Sequence, residues 1–292
     1  MIRERHHREV SPTLSRARYR LLRVGLLLLL SLVTAACVSE EREQEMGDLM
    51  AIDINAQIPL VEDAILNGFV ASVGNALAEL SDRPDLNYHF YIINVPLVNA
   101  FALPGGHIYL TRGLIEQTGS GTELAAALAH EIGHVAERHG VHKMERQLRT
   151  GSMVGMLYNL ILGGEPEILQ RRSLQLGDAL WSARHSRRAE VEADERAIEY
   201  LLRAGIDPQA MVDLLTRLHE VERRDSSVVA GWFASHPMTG ERIAQARREI
   251  DHVAGAVPIA DEAPVTHLAE LLDRYPHFLD RLANTMGPSF LP

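Results

Sequence analysis

The sequence predicts an α+β fold that is mostly helical, with one small antiparallel sheet or hairpin set beside a helix. Three observations predict it. From Ser120 to about residue 250 the apolar positions recur three and four apart, as one face of successive helices requires. Upstream, "LNYHFYIINVPLVNAFALPGGHIYLTRGLI" is dense in β-branched and aromatic residues and is broken by a turn at Pro104-Gly105-Gly106. The chain has 292 residues, 46% of them apolar and only 23% charged, enough to bury a sizeable core. The formal charge of −10 argues against a nucleic-acid partner, which needs a basic face to meet phosphates.

The first segment, residues 1–36, differs from the rest. Arg3, Arg5, Arg8, Arg16, Arg18, Arg20 and Arg23 precede the uncharged run Val24–Ala36. That run is 13 residues long, too short to cross a bilayer comfortably and suited to the core of a signal peptide. Ala35 and Ala36 then lead into Cys37, the only cysteine in the chain, which excludes an intramolecular disulfide. "VTAAC" resembles a bacterial lipobox, although Thr34 stands where Leu is commoner. The resemblance implies cleavage before Cys37, lipidation of Cys37, and anchoring on the periplasmic side of the cell envelope. Val38 after the cysteine favours the outer membrane.

Residues 37–59 read as a charged tether and first helical segment, and "VEDAILNGFVASVGNALAEL" as a helix ended by "SDRPD". The aromatic block then gives two or three short strands closing in a hairpin. Residues 60–250 make the main domain. Within it "MVGMLYNLILGG" at 153–164 is short and contains Asn159, so a core helix or a lid suits it better than a membrane span. Residues 251–292 form a linker and two short helical stretches ending near Met286.

The chemistry concentrates in "SGTELAAALAHEIGHVAERHG". Ser120 and Glu123 have capping-box spacing, and "LAAALA" is strongly helix-forming. On that helix His130 and His134 stand one turn apart on one face and can aim two imidazoles at one point. Glu131 is displaced by ~100° around the axis, which sets its carboxylate beside that point. Two neutral nitrogens and a nearby base suit a zinc hydrolase. Two hydrogen-bonded histidines on a buried helix face would look the same, so a third ligand must decide. Downstream, "SRRAEVEADERA" carries Glu190 and Asp194 at i, i+4 on another helix, with Glu192 about 200° around from Glu190. His236 lies before Pro237, in a loop.

HExxH, the S-R-x-x-E-x-E-A-D-x-x-A block, "LLRAGIDP" and "SHPMTGERIA", with "NAFALPGGHIYLTRGLI" upstream, together resemble metallopeptidase family 48 over about residues 60–250. That group holds the CAAX prenyl endopeptidases, the heat-shock protease HtpX and periplasmic quality-control metallopeptidases, and it is the last of these that the chain is most similar to. The resemblance implies a zincin-like (gluzincin) metallopeptidase domain with one Zn²⁺ per chain, held by His130, His134 and Glu190, and Glu131 as general base. It implies that Asp194 either orients a ligand or donates a proton near the leaving group, the former being favoured. It places His236 over the cleft, as oxyanion stabiliser or as a fourth ligand that holds the enzyme off, and Arg242 near a cleft carboxylate. His107, His139, His142, His185 and His219 show no convergent spacing and read as surface or structural.

The expected reaction is peptide hydrolysis, with the strand His107–Leu110 as a candidate edge for an extended, unfolded or misfolded protein substrate. The competing expectation is a metal-containing chaperone or assembly factor whose proteolysis is gated or silent.

Overall fold

A computed structural model describes residues 38–149, 185–224, the isolated positions 229, 232, 235 and 236, and then 240–253 and 262–286. Cys37 with the segment before it, the apolar run at 153–164, and Pro237 lie outside the described residues. Glu43–Pro292 form one unit, and Met1–Arg42 another whose described part is residues 38–42.

Helix α1 (Glu40–Asn55) occupies the expected tether and helical segment; its buried residues include Glu43, Gly47, Ala51 and Ile54. Helix α2 (Ala64–Ala78) starts at Asp63, whose Oδ1 accepts from the N–H groups of Ile65 and Leu66 at 3.0 Å each. Three strands follow: β1 (His89–Ile93), β2 (Ala100–Leu103) and β3 (His107–Thr111). The β2–β3 hairpin turns at Pro104–Gly106, where Gly105 has φ 79°, a left-handed value that only glycine adopts without strain.

The hairpin is antiparallel, as expected, and β1 adds to it in parallel, giving a mixed sheet of order β1-β3-β2. Side chains alternate across it. Ile92, Ile108 and Leu110 enter the main core with α2 and the helices beyond, while Ile93, Phe101 and Tyr109 pack with Ala51 and Ile54 of α1. Both faces of β3 are therefore covered, and every residue of it is buried.

This order overturns the expectation that His107–Leu110 offers a free edge. That strand is the centre of the sheet, paired on both sides. The outer edges belong to β1, which carries an isolated bridge between Ile93 and Leu60, and to β2, which no strand pairs on the side away from β3 among the described residues. Thr111 N–H donates to Asn99 O at 3.0 Å, which fixes the ladder's phase. By the alternation of an antiparallel pair, Phe101 and Leu103 bond inward, and Ala100 and Ala102 turn their N–H and C=O groups to that edge.

After the short α3 (Arg112–Gln117) come α4 (Gly121–Ala136) and α5 (His139–Arg149), and after the undescribed stretch α6 (Arg187–Arg203), α7 (Gln209–Arg224) and α8 (Gly240–Val253). Helix α4 is buried along almost its whole length. It lies closely against α6: a Cβ on Gly133 would stand 3.0 Å from the backbone oxygen of Ala193. The expected pair of C-terminal helical stretches is α9 (Glu262–Leu272) and α10 (Tyr275–Met286). They pack on α2, where the rings of Phe69 and Phe278 stack at 4.6 Å and Arg281 Nη2 meets Asp63 Oδ2 at 2.7 Å.

Candidate metal centre

Local chemistry sets both site helices. Ser120 Oγ accepts from Glu123 N–H at 3.1 Å, and the Glu123 carboxylate accepts from Gly119 N–H at 3.0 Å and from Arg217. Ser186 Oγ accepts from Ala189 N–H at 3.2 Å and starts α6, putting Glu190 in its first turn. The tight α4–α6 approach at Gly133 then brings Glu190 against the two histidines.

His130, His134, Glu190 and His236 converge, all buried, with one ligand atom from each lying within 4.8 Å of the others. His130 Nε2 is 3.1 Å from His134 Nε2 and 3.3 Å from His236 Nδ1. Glu190 oxygens lie 3.6 Å from His130 Nε2, 3.5 Å from His134 Nε2 and 3.2 Å from His236 Nδ1. Bonds of 2.0–2.1 Å in a tetrahedron require ligand atoms about 3.3 Å apart, so these donors fit one small tetrahedral cation. The tautomer of His236 agrees. Its Nε2–H donates to Ala100 O at 3.2 Å, which leaves the Nδ1 lone pair for the cluster.

The surroundings also call for a cation. Arg242 is 4% exposed and forks between carboxylates: Nη1 is 2.8 Å from Glu190 Oε2, while Nε and Nη2 donate to Asp194 at 2.8 and 2.7 Å. With Glu131, Glu190 and Asp194 ionised, one guanidinium leaves a buried surplus of negative charge that a divalent ion cancels. Burial pushes the Glu190 carboxyl up, but His236 and Arg242 outweigh it and hold it well below the usual range. For Asp194, burial is likewise outweighed, by Arg242 and His130. Burial pushes Glu131 up, His236 and His130 offsetting only part of it. Burial opposes the charge on His236, yet Glu190 and Glu131 lift it to about 9 when no cation shares the site.

Glu131 is the one acidic group here left unengaged. Both its oxygens are buried without a hydrogen-bond partner among the described residues, and Oε1 lies 3.4 Å from His236 Nε2. A buried carboxylate in that state is poised to accept a proton. Asp194 Oδ1 sits 2.9 Å from His130 Nδ1, the nitrogen turned away from the cluster.

Two histidines read as surface or structural belong to this neighbourhood. The His185 ring stacks on His134 at 4.0 Å. His139, 7% exposed, puts Nδ1 2.8 Å from His134 Nδ1, and its Nε2 faces Glu192 Oε2 at 3.2 Å. Helical spacing misses His139 because the chain reverses at Arg138, whose φ of 54° ends α4. Burial lowers the pKa of both His134 and His139, so the pair is neutral.

The model of peptidase family M48 matches residues 64–250. The chain is 32% identical over 225 residues to the beta-barrel assembly-enhancing protease of Yersinia pestis, covering 75% of this chain and 46% of that one. It is 31% identical over 177 residues to the mitochondrial metalloendopeptidase OMA1 of Schizosaccharomyces pombe, 60% of this chain and 50% of that one. To the metalloprotease LoiP of Escherichia coli (strain K12) it is 30% identical over 184 residues, 59% and 66% of the respective chains. The chain spans about half the length of the beta-barrel assembly-enhancing proteases it matches.

Proposed function

We propose that this chain, which belongs to peptidase family M48, is a zinc-dependent endopeptidase for unfolded or misassembled proteins of the cell envelope. The observation that carries the reading is the converging set His130, His134, Glu190 and His236 beside the Glu131 carboxylate, which has no hydrogen-bond partner among the described residues. Two or three histidines with one carboxylate suit zinc. A bound zinc would supply Lewis acidity, polarising a scissile carbonyl and making a water easier to deprotonate. Glu131 then takes the proton from that water and delivers it to the leaving amine. Asp194 and Arg242 orient the ligands His130 and Glu190. The edge of β2 at Ala102 offers outward N–H and C=O groups to an extended peptide, the Ala100 carbonyl being held by His236, a mode that reads backbone more than side chains. Such a mode suits unfolded substrates. The name of the Yersinia relative, beta-barrel assembly-enhancing protease, supports an envelope setting. In the same reading Cys37 is lipidated and holds the chain on the periplasmic face of the outer membrane. Among the described residues no helix is long and apolar enough to cross a membrane.

His236 favours a second element of the reading. A catalytic site keeps one ligand position open, and here His236 Nδ1 takes that corner. The resting protein is thus a gated enzyme, or, if the gate never opens, an assembly factor with silent proteolysis. Metal content and casein cleavage measured together on wild type, Glu131→Gln and His236→Ala test both. One zinc per chain in all, cleavage lost in Glu131→Gln and raised in His236→Ala, is the expected result. Zinc without cleavage in any of them supports the assembly factor, and absence of metal sinks both.

A further inference from the structure

The two helix-borne histidines of the centre are held from behind in different ways. A metal-ligating imidazole is neutral and carries its proton on the nitrogen turned away from the ion, where it donates to an acceptor that fixes the ring. For His130 the group behind Nδ1 is the Asp194 carboxylate, in contact at 2.9 Å although not aligned as a hydrogen bond. For His134 the atom facing Nδ1 is a nitrogen, His139 Nδ1 at 2.8 Å. With His134 Nε2 turned to the cluster, its Nδ1 must be the donor and His139 Nδ1 must accept. His139 therefore carries its own proton on Nε2, which faces Glu192 Oε2 at 3.2 Å, and Arg188 Nε donates to the other Glu192 oxygen at 2.8 Å. Every donor and acceptor in this chain is determined by the first.

We propose that His139 is the positioning residue for the ligand His134, and that Glu192, anchored by Arg188, holds His139 in the single tautomer that can serve. The inference rests on the zinc reading of the centre. Backbone geometry supports it. The left-handed turn at Arg138 is what starts α5 with His139 beside His134, and Arg138 Nε is tied to buried Glu43 at 2.8 Å, which offsets a conformation unfavourable for a residue with a side chain. The line of hydrogen bonds also leads outward. The His134 side chain is 2% exposed, Glu192 31% and Arg188 87%, so this line of contacts runs from the buried centre to the surface. One ligand is thus backed by a buried carboxylate and the other by a neutral ring whose polarisation depends on surface charges.

The test is zinc affinity, measured on the full chain in detergent, stripped of metal and titrated with zinc against a chelating dye. His139→Ala is expected to weaken binding about 10–100-fold. His139→Asn, whose Oδ1 replaces the accepting Nδ1, recovers most of that loss, whereas a packing role would leave both variants equally weak. Glu192→Gln, at a half-exposed position that tolerates replacement, weakens binding in the same direction by less, and His142→Ala on the exposed face of α5 leaves it unchanged. In zinc-loaded protein labelled with ¹⁵N-histidine, His134 is expected as the Nδ1–H tautomer and His139 as the Nε2–H tautomer. Wild-type affinity in His139→Ala, equal loss in His139→Asn, or a proton on His139 Nδ1 overturns the assignment while leaving the zinc centre standing. A wild-type chain that takes up no zinc overturns the centre and the assignment together.

Discussion

Arg242 shows how much of the site rests on single side chains. It is buried between Glu190 and Asp194, so removing it leaves two carboxylates facing each other without their counter-charge. Arg242→Ala is expected to destabilise the metal-free chain by about 3–5 kcal/mol in urea unfolding. Arg242→Lys should restore only part of that, because an ammonium cannot fork between both acids. Glu131→Gln is a different kind of change. It keeps shape and zinc and lowers peptide cleavage by about 10²–10⁴-fold. The pairs His130 with His134 and Glu190 with Asp194 were legible in the sequence because i, i+4 spacing on a helix is itself geometry, whereas the expectation that Glu190 joins the histidines came from the family resemblance. His139 and His185 were not legible. Their place depends on a left-handed residue at 138 and on tertiary contact, and neither leaves a periodic trace.

Among the elements, the α4–α6 pair determines whether the ligands meet. Gly133→Ala would press a methyl onto the Ala193 backbone. The overpacking cost, reduced by alanine's better helix propensity, comes to about 1–2 kcal/mol net, and the expected signature is weaker zinc binding that accompanies it, because Glu190 moves with α6. A second element-scale contact titrates. Asp63 caps α2 and pairs with Arg281 of α10, and these bonds draw its pKa down to about 2. The folded-state pKa is below the unfolded one, so the contact's stabilisation is full above about pH 4 and is lost as pH falls through 2. The difference in urea midpoint between wild type and Arg281→Ala should be constant from pH 5 to 7 and shrink between pH 4 and 2. A difference that persists at pH 2 would mean the contact is not electrostatic. The sheet was only half legible for an equally physical reason. The Pro-Gly-Gly turn announces the β2–β3 hairpin, but β1 joins in parallel across a connection with no turn signal, and a strand buried on both faces shows no alternation to betray its neighbours.

For the whole molecule, the helical class and the C-terminal helices were readable from periodicity, whereas the layering of the sheet between α1 and the main core needed the structure. A metal held by four buried donors binds the native state and not the unfolded one. At zinc a hundredfold above its dissociation constant this is worth about 2.7 kcal/mol, so chelation should lower the melting temperature by roughly 5–10 °C; an unchanged melt would mean the cation is not part of the native structure. The donors also come from distant parts of the chain: His130 and His236 are 106 residues apart in sequence, and Arg242 reaches back 48 to Asp194. A polypeptide still being made therefore holds no complete set, however much of α4 has emerged. The four-donor cluster is thus completed last, by the C-terminal third of the chain.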